Sequence, residues 1–142
     1  MSKDTELLNY IYKNAEMGKN SISQLIDISD DTNFRNVLKS QLTEYQNIFD
    51  KSKDKMKALN HNPDSIGAIA KVSTYMSVKG NTLIDKTSSH MAQMMIQGST
   101  MGVTDITRHL KDYDNSDPEV KGLADKLLKT EQTNIDEMKK YL

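Results

Sequence analysis

The sequence predicts an all-α chain: an antiparallel bundle of four long helices with one long helical crossover between the second and third. Three observations carry that expectation. Apolar residues recur at spacings of three and four through most of the chain, the period of a helix with one buried face. Lys, Leu, Met, Asp and Glu are abundant, tryptophan is absent, and only two prolines and six glycines interrupt 142 residues. Turn-forming residues cluster between the periodic stretches, so the chain divides cleanly into helical segments.

The first helix is expected from about Asp4 to Ile28, where Leu8, Ile11, Ala15, Gly18, Ile22 and Leu25 form a continuous stripe. The run SDDTN, from Ser29 to Asn33, supplies a turn and an Asp or Thr cap. A second helix follows from about Thr32 to Leu59, with Leu38, Leu42, Tyr45, Phe49, Ser52, Met56 and Leu59 on one face. NHNPDS at 60–65 ends it. A shorter helix, about Ile66 to Leu83, places Ile66, Ile69, Ser73, Met76, Gly80 and Leu83 in line. The third long helix spans about Thr87 to Tyr113, with Met91, Met95, Gly98, Gly102, Ile106 and Leu110 inward. Asp114 to Pro118 closes it, Asp117 as a cap and Pro118 at the first helical position of the fourth helix. That helix runs to the end of the sequence, with Val120, Ala124, Leu127, Glu131, Asn134 and Met138 in register.

Connection lengths set the topology. The first and last connections are short, so each joins an antiparallel hairpin. The middle one carries its own helix, enough chain to travel the ~38 Å length of a 25-residue helix at ~1.5 Å per residue. The third helix is therefore expected to begin at the end of the bundle where the first two do not meet. One domain, residues 1–142, accounts for the whole sequence.

Composition removes several function classes. A formal net charge of −1 argues against nucleic acid as the main partner, since phosphate binding needs a concentrated basic surface. There is no cysteine, which excludes disulfides, thiol catalysis and thiolate metal sites. The start, MSKDTELLNY, has no apolar run of the kind a signal peptide or anchor needs. Residues 87–104 carry no formal charge apart from a protonated His90, yet are too rich in Ser, Thr and Gln to sit in lipid. A cytoplasmic protein without membrane insertion is expected. Residues 65–104 hold only Lys71, Lys79, Asp85 and Lys86 as formal charges. Either the other helices cover this stretch, or it forms an oligomer interface, because interface cores are depleted of charge.

The stretches YIYKNAEMGKNSI at 10–22, SSHMAQMMIQGSTMG at 88–102 and KTEQTNIDEMKKYL at 129–142 resemble the ferritin-like superfamily. More narrowly they resemble a family of small bacterial bundle proteins of unknown function, and distantly the spore-coat proteins of ferritin-like type. The resemblance implies a ferritin-like four-helix bundle, with or without two metal ions, and a role in stress or sporulation physiology.

A di-iron site needs a carboxylate from each of two helices and Glu-x-x-His from each of the other two. The candidates are Glu16, Glu44-x-x-Asn47, Gln93 and Gln97, and Glu131-x-x-Asn134. At ~100° per residue, Glu16 falls beside Lys13, Lys19 and Asn20, while Glu44 and Asn47 lie on a polar edge; only Glu131 stays on its apolar stripe. Neutral amides are poor iron ligands, so the di-iron site reads as degenerate. A buried carboxylate must be bonded, protonated or paired. Tyr45 falls at the level of Glu131, with Ala15, Gly18 and Gly98 making room, so a Tyr45–Glu131 hydrogen bond is one expectation. The other is a slightly rotated fourth helix that lets Glu131 reach water.

Gly98 and Gly102 share a helical face, which marks close approach of a neighbouring helix, a ligand or a partner. Met76, Met91, Met94, Met95 and Met101 suit core filling, an adaptable interface or soft-metal binding. His61 is expected in solvent, and His90 and His109 are too far apart on one helix, about 28 Å, to share an ion. The run KSKDKMK at 51–57 is weakly basic, a solvated face or a polyanion site. The leading reading is a non-catalytic protein, free of metal and cofactor, that works by self-association as a homo-oligomer or by binding a partner protein. Its alternative is a carboxylate-bridged protein holding iron or manganese through Glu131, Glu44, Glu16 and Gln97, for storage or oxidation. A third is a carrier of a small apolar ligand between the third helix and the crossover.

Overall fold

A computed structural model describes residues 3–61, 85–113 and 117–142. Within them the chain forms four helices: α1 (Lys3–Ile28), α2 (Thr32–Ala58), α3 (Ser88–Lys111) and α4 (Pro118–Lys139). The expected helix over 66–83, with Met76, lies outside the described residues. None of the four helices is long and apolar enough to cross a membrane.

Side-chain caps fix three of the helix starts. Asp31 precedes α2 in an extended conformation and its Oδ1 accepts from the Phe34 amide at 3.1 Å. The Thr87 hydroxyl accepts from His90 N at 3.2 Å to open α3, one residue later than the stripe suggested. Asp117 accepts from Glu119 N and Val120 N ahead of Pro118. The end of α2 is set by Asn60, the one non-glycine with positive φ among the described residues, at 60°. Its amide bonds to the Lys57 carbonyl, and His61 N to the Met56 carbonyl at 2.8 Å, so the last carbonyls are satisfied by a left-handed stop. The third helix ends earlier than expected, because Tyr113 leaves it and turns its hydroxyl onto the Asp4 carboxylate and the Asp117 backbone.

End contacts give the running directions. At one end, Thr5 of α1 meets His61 just past α2, with Oγ1 and Nε2 at 3.1 Å, so His61 is half-buried and bonded rather than solvated. Lys55, in the last turn of α2, pairs there with Asp117 at 3.0 Å and Glu119 at 3.1 Å at the start of α4. Part of the expected solvated basic face at 51–57 is thereby spoken for: Ser52 and Met56 are buried and Lys55 is paired. At the other end, Ser88 donates to Asp31 Oδ2 at 3.0 Å and Phe34 packs edge-on against Tyr141. Hence α1 and α4 run one way, and α2 and α3 the other. The chain leaves α2 at the end where α1 begins and starts α3 beside the first turn of α2, so the third helix begins where the first two meet and not, as expected, at the opposite end.

The core lies along the four stripes. Ile11, Ala15, Ile22, Leu25, Leu38, Tyr45, Met56, Met91, Ile106, Val120, Ala124, Leu127 and Met138 have no measurable exposure. Fully burying each large apolar side chain contributes roughly 1.5–3 kcal/mol. The buried face of α1 is wider than its stripe, since Leu7, Tyr10 and Tyr12 are buried too. Conversely Leu42, Phe49, Leu59 and Leu110, read as inward, are only half-buried and pack on the core's margin.

Candidate functional site

At mid-height the apolar core is interrupted by a polar layer centred on Glu131. Position 131 continues the α4 stripe between Leu127 and Asn134, so the helix carries its carboxylate directly into the bundle. Glu131 has 0% exposure. The alternative in which α4 rotates and the carboxylate reaches water is therefore set aside. Tyr45, equally buried on α2, donates its hydroxyl to Glu131 Oε2 at 2.8 Å. No lysine, arginine or histidine among the described residues pairs with Glu131.

Two glycines shape this layer. A Cβ at Gly18 would lie 2.8 Å from Tyr45 Cδ1 and Cε1, so α1 must present a bare backbone for the ring to lie flat against it. A Cβ at Gly102 would lie 2.6 Å from Glu131 Oε1 and 2.9 Å from its Cδ. Gly102 thus makes room for the carboxylate. Gly98 is buried as well, as expected of close packing. The same Cβ at Gly102 would lie 3.4 Å from Asn14 Nδ2, which donates to the Tyr10 hydroxyl at 2.9 Å; that hydroxyl points at the Gly102 carbonyl at 3.5 Å.

Burial dominates the electrostatics. Removing the Glu131 carboxylate from water pushes its pKa up to about 7; the hydrogen bond from Tyr45 and the nearby Ser99 hydroxyl pull the other way without reversing it. Tyr45 is held well above its ordinary value, first by burial and then by the charge of Glu131. Tyr10 is raised by burial against the opposing bond from Asn14. Ser99 and Asn134 stand close enough to affect the Tyr45 hydroxyl, yet Ser99 Oγ, Asn134 Nδ2 and Glu131 Oε1 make no hydrogen bond of full geometry. A neutral Glu131 donates or accepts here; burial disfavours the ionised form.

The remaining metal candidates do not converge on Glu131. Glu16 is half-exposed and pairs with Lys13 at 3.4 Å, one turn away on the same helix. Glu44, Gln93 and Gln97 are exposed, and Asn47 is half-buried. Among the described residues no group of three or more His, Cys, Asp and Glu is placed to hold an ion. His90 stands 3.9 Å from Asp85, and His109 lies on the Tyr10 ring, centroids 4.4 Å apart, its pKa lowered by burial. Of the methionines, Met91 and Met95 are core side chains and not interface; Met94 is half-buried, and Met101 is 41% exposed.

Tyr10, Asn14 and Ser99 complete the layer and were not singled out in the sequence. Their signal was present: Tyr10 and Asn14 are four apart, one residue off the α1 stripe, which is where a helix facing several neighbours widens its buried face. No family model, curated protein or solved structure matches the chain.

Proposed function

We propose that the chain is a ferritin-like bundle that keeps the scaffold without the di-metal site, and acts by protein contact rather than by chemistry. The path supports the scaffold: two hairpins whose connection begins at one end of the bundle and finishes at the other, the one-crossover plan of that superfamily. The observation that carries the reading is the state of Glu131. It is the single inward carboxylate of the candidate set, and one of its oxygens already accepts from the Tyr45 hydroxyl. Two cations need several anionic ligands, and the other candidates point away.

Protein contact is supported by the outer face of α3. Ser89, Gln93, Gln97, Thr100, Met101 and Thr104 are exposed and uncharged, a neutral strip on a chain that is 27% charged overall. Charge-depleted surface with an exposed methionine is what interface cores use. The role fits self-association or one partner protein.

Two measurements on protein purified without chelators test this. Elemental analysis is expected to find iron and manganese far below one equivalent, and light scattering a species larger than the 16.1 kDa chain. Two bound metal equivalents would replace the reading with storage or oxidase chemistry. A strict monomer that captures no protein through the α3 face would end the contact reading.

A further inference from the structure

The neutral strip on α3 has a chemistry of its own beyond its lack of charge. Ser89, Gln93, Gln97, Thr100, Met101 and Thr104 fall within about 120° of the helix circumference at ~100° per residue, one continuous face ~23 Å long. Thr100 Oγ1 donates to the Ile96 carbonyl at 2.7 Å and Thr104 Oγ1 to the Thr100 carbonyl at 3.0 Å, so both hydroxyl protons are held by their own helix. Met101, 41% exposed, is apolar. The groups left to bond outward are the Gln93 and Gln97 amides and the Ser89 hydroxyl, each of which both donates and accepts. Such a group can bond a copy of itself, which a carboxylate or an ammonium cannot. The other helices differ: their exposed positions mix acids and bases, as in Lys3 and Glu6, Lys39 and Glu44, or Asp125 and Lys129.

The ends of the strip carry opposite charges. Exposed Asp85 lies just ahead of α3, and exposed Arg108, which forms no ion pair with any described residue, lies one turn past Thr104. The midpoint between Ser89 and Thr104 falls beside Gln97. On two antiparallel copies related by a two-fold axis there, positions equidistant from the midpoint come level. Gln97 then meets Gln97, Gln93 meets Thr100, Ser89 meets Thr104, and Asp85 meets Arg108 at both rims. An isologous contact demands this self-complementarity. A parallel pairing would instead set Arg108 against Arg108 and align the two helix dipoles.

Resting on the contact reading above, we infer that the partner of this face is a second copy of the chain, bound α3 against antiparallel α3 about a two-fold axis at Gln97. The two Gln97 amides bond each other across the axis, Met101 packs beside them, and the Asp85–Arg108 pairs close the rims. The uncharged centre leaves no buried charge to compensate, as interface cores require. One helix face on another is a small contact, below ~1,200 Å² in all, so the dimer is weak and reversible.

Sedimentation of the full chain from ~10 µM to ~1 mM should show a monomer–dimer equilibrium. Gln97→Glu and Gln97→Lys, both at an exposed position, should each weaken dimerisation about tenfold by opposing like charges, with the helical circular dichroism unchanged. An equal mixture of the two variants should dimerise again, because opposite charges meet only if position 97 faces itself. The chain has no cysteine, so Ser89→Cys and Thr104→Cys accept spin labels at single sites. Each labelled variant should give a long label-to-label distance, set by ~23 Å along the helix axis; a parallel pair would give a short one at both sites. Short distances at both sites, or a mixture that stays monomeric, overturn the inference. A larger species that both charge variants leave intact overturns it too, while leaving self-association through another face. A strict monomer at ~1 mM also overturns it, and the contact reading then rests on capture of a different protein through α3.

Discussion

Replacing Glu131 by glutamine should make the protein's stability insensitive to pH where the unaltered chain is most sensitive. The two side chains are nearly the same size, and the amide oxygen can still accept from Tyr45. What changes is titration. In the folded chain burial raises the Glu131 pKa from an ordinary 4.5 to about 7. Between those values the folded state binds more protons than the unfolded one, so stability falls as pH rises. The contribution is fully present below 4.5 and lost as pH passes through about 7. At about 1.4 kcal/mol per pH unit, that interval corresponds to roughly 3 kcal/mol. Urea unfolding of both proteins, from about pH 5 to about pH 8.5, isolates the effect, because every other titrating group is common to the two. The stability difference between Glu131→Gln and the unaltered chain should move by about 3 kcal/mol in the variant's favour across that range. Parallel curves would refute the reasoning: Glu131 would then be ionised and solvated in the fold, and the polar layer would be wrong.

Other consequences follow from the same geometry. Tyr45→Phe removes the donor to Glu131 Oε2 and should destabilise by about 1–3 kcal/mol in denaturant unfolding, more at pH 8.5 than at pH 5 because the ionised carboxylate needs that bond most. Gly18→Ala and Gly102→Ala each drive a methyl into the pair, and both should cost about 1–3 kcal/mol by the same assay. Gly122→Ala should do the opposite, since nothing lies within 4 Å of the added carbon and the site is exposed in α4. A gain of about 0.5–1 kcal/mol is expected, read as a higher melting temperature.

Periodicity made the helices and most of the core legible. The stripes of α1 and α4 are buried along their whole length because each of their stripe residues faces the bundle axis. The Asp31, Thr87 and Asp117 caps were readable because capping chemistry is local. The same phase argument placed Glu131 inside and Glu16 and Glu44 outside. Three things were less visible. The stripe on α1 understated its buried width, because a single apolar face cannot express contact with three other helices; Tyr10 and Asn14 were missed for that reason. That Gly102 faces Glu131 depends on how far α3 slides along α4, and spacing within one helix carries no information on that. His61 looked solvated because its neighbours Asn60 and Asn62 are polar, but its partner Thr5 is 56 residues away in sequence.

The close fit of Gly18 to Tyr45 and of Gly102 to Glu131 makes four positions on four different helices a single unit of change. Shortening the acid at 131 vacates the volume that a methyl at 102 would need, so Gly102→Ala should be damaging by itself and tolerated beside Glu131→Ala. A double-mutant cycle on that pair should return a coupling of about 1–3 kcal/mol rather than additivity. Any drift of this protein towards a fully apolar centre would have to alter these sites together, since single steps lead through less stable intermediates.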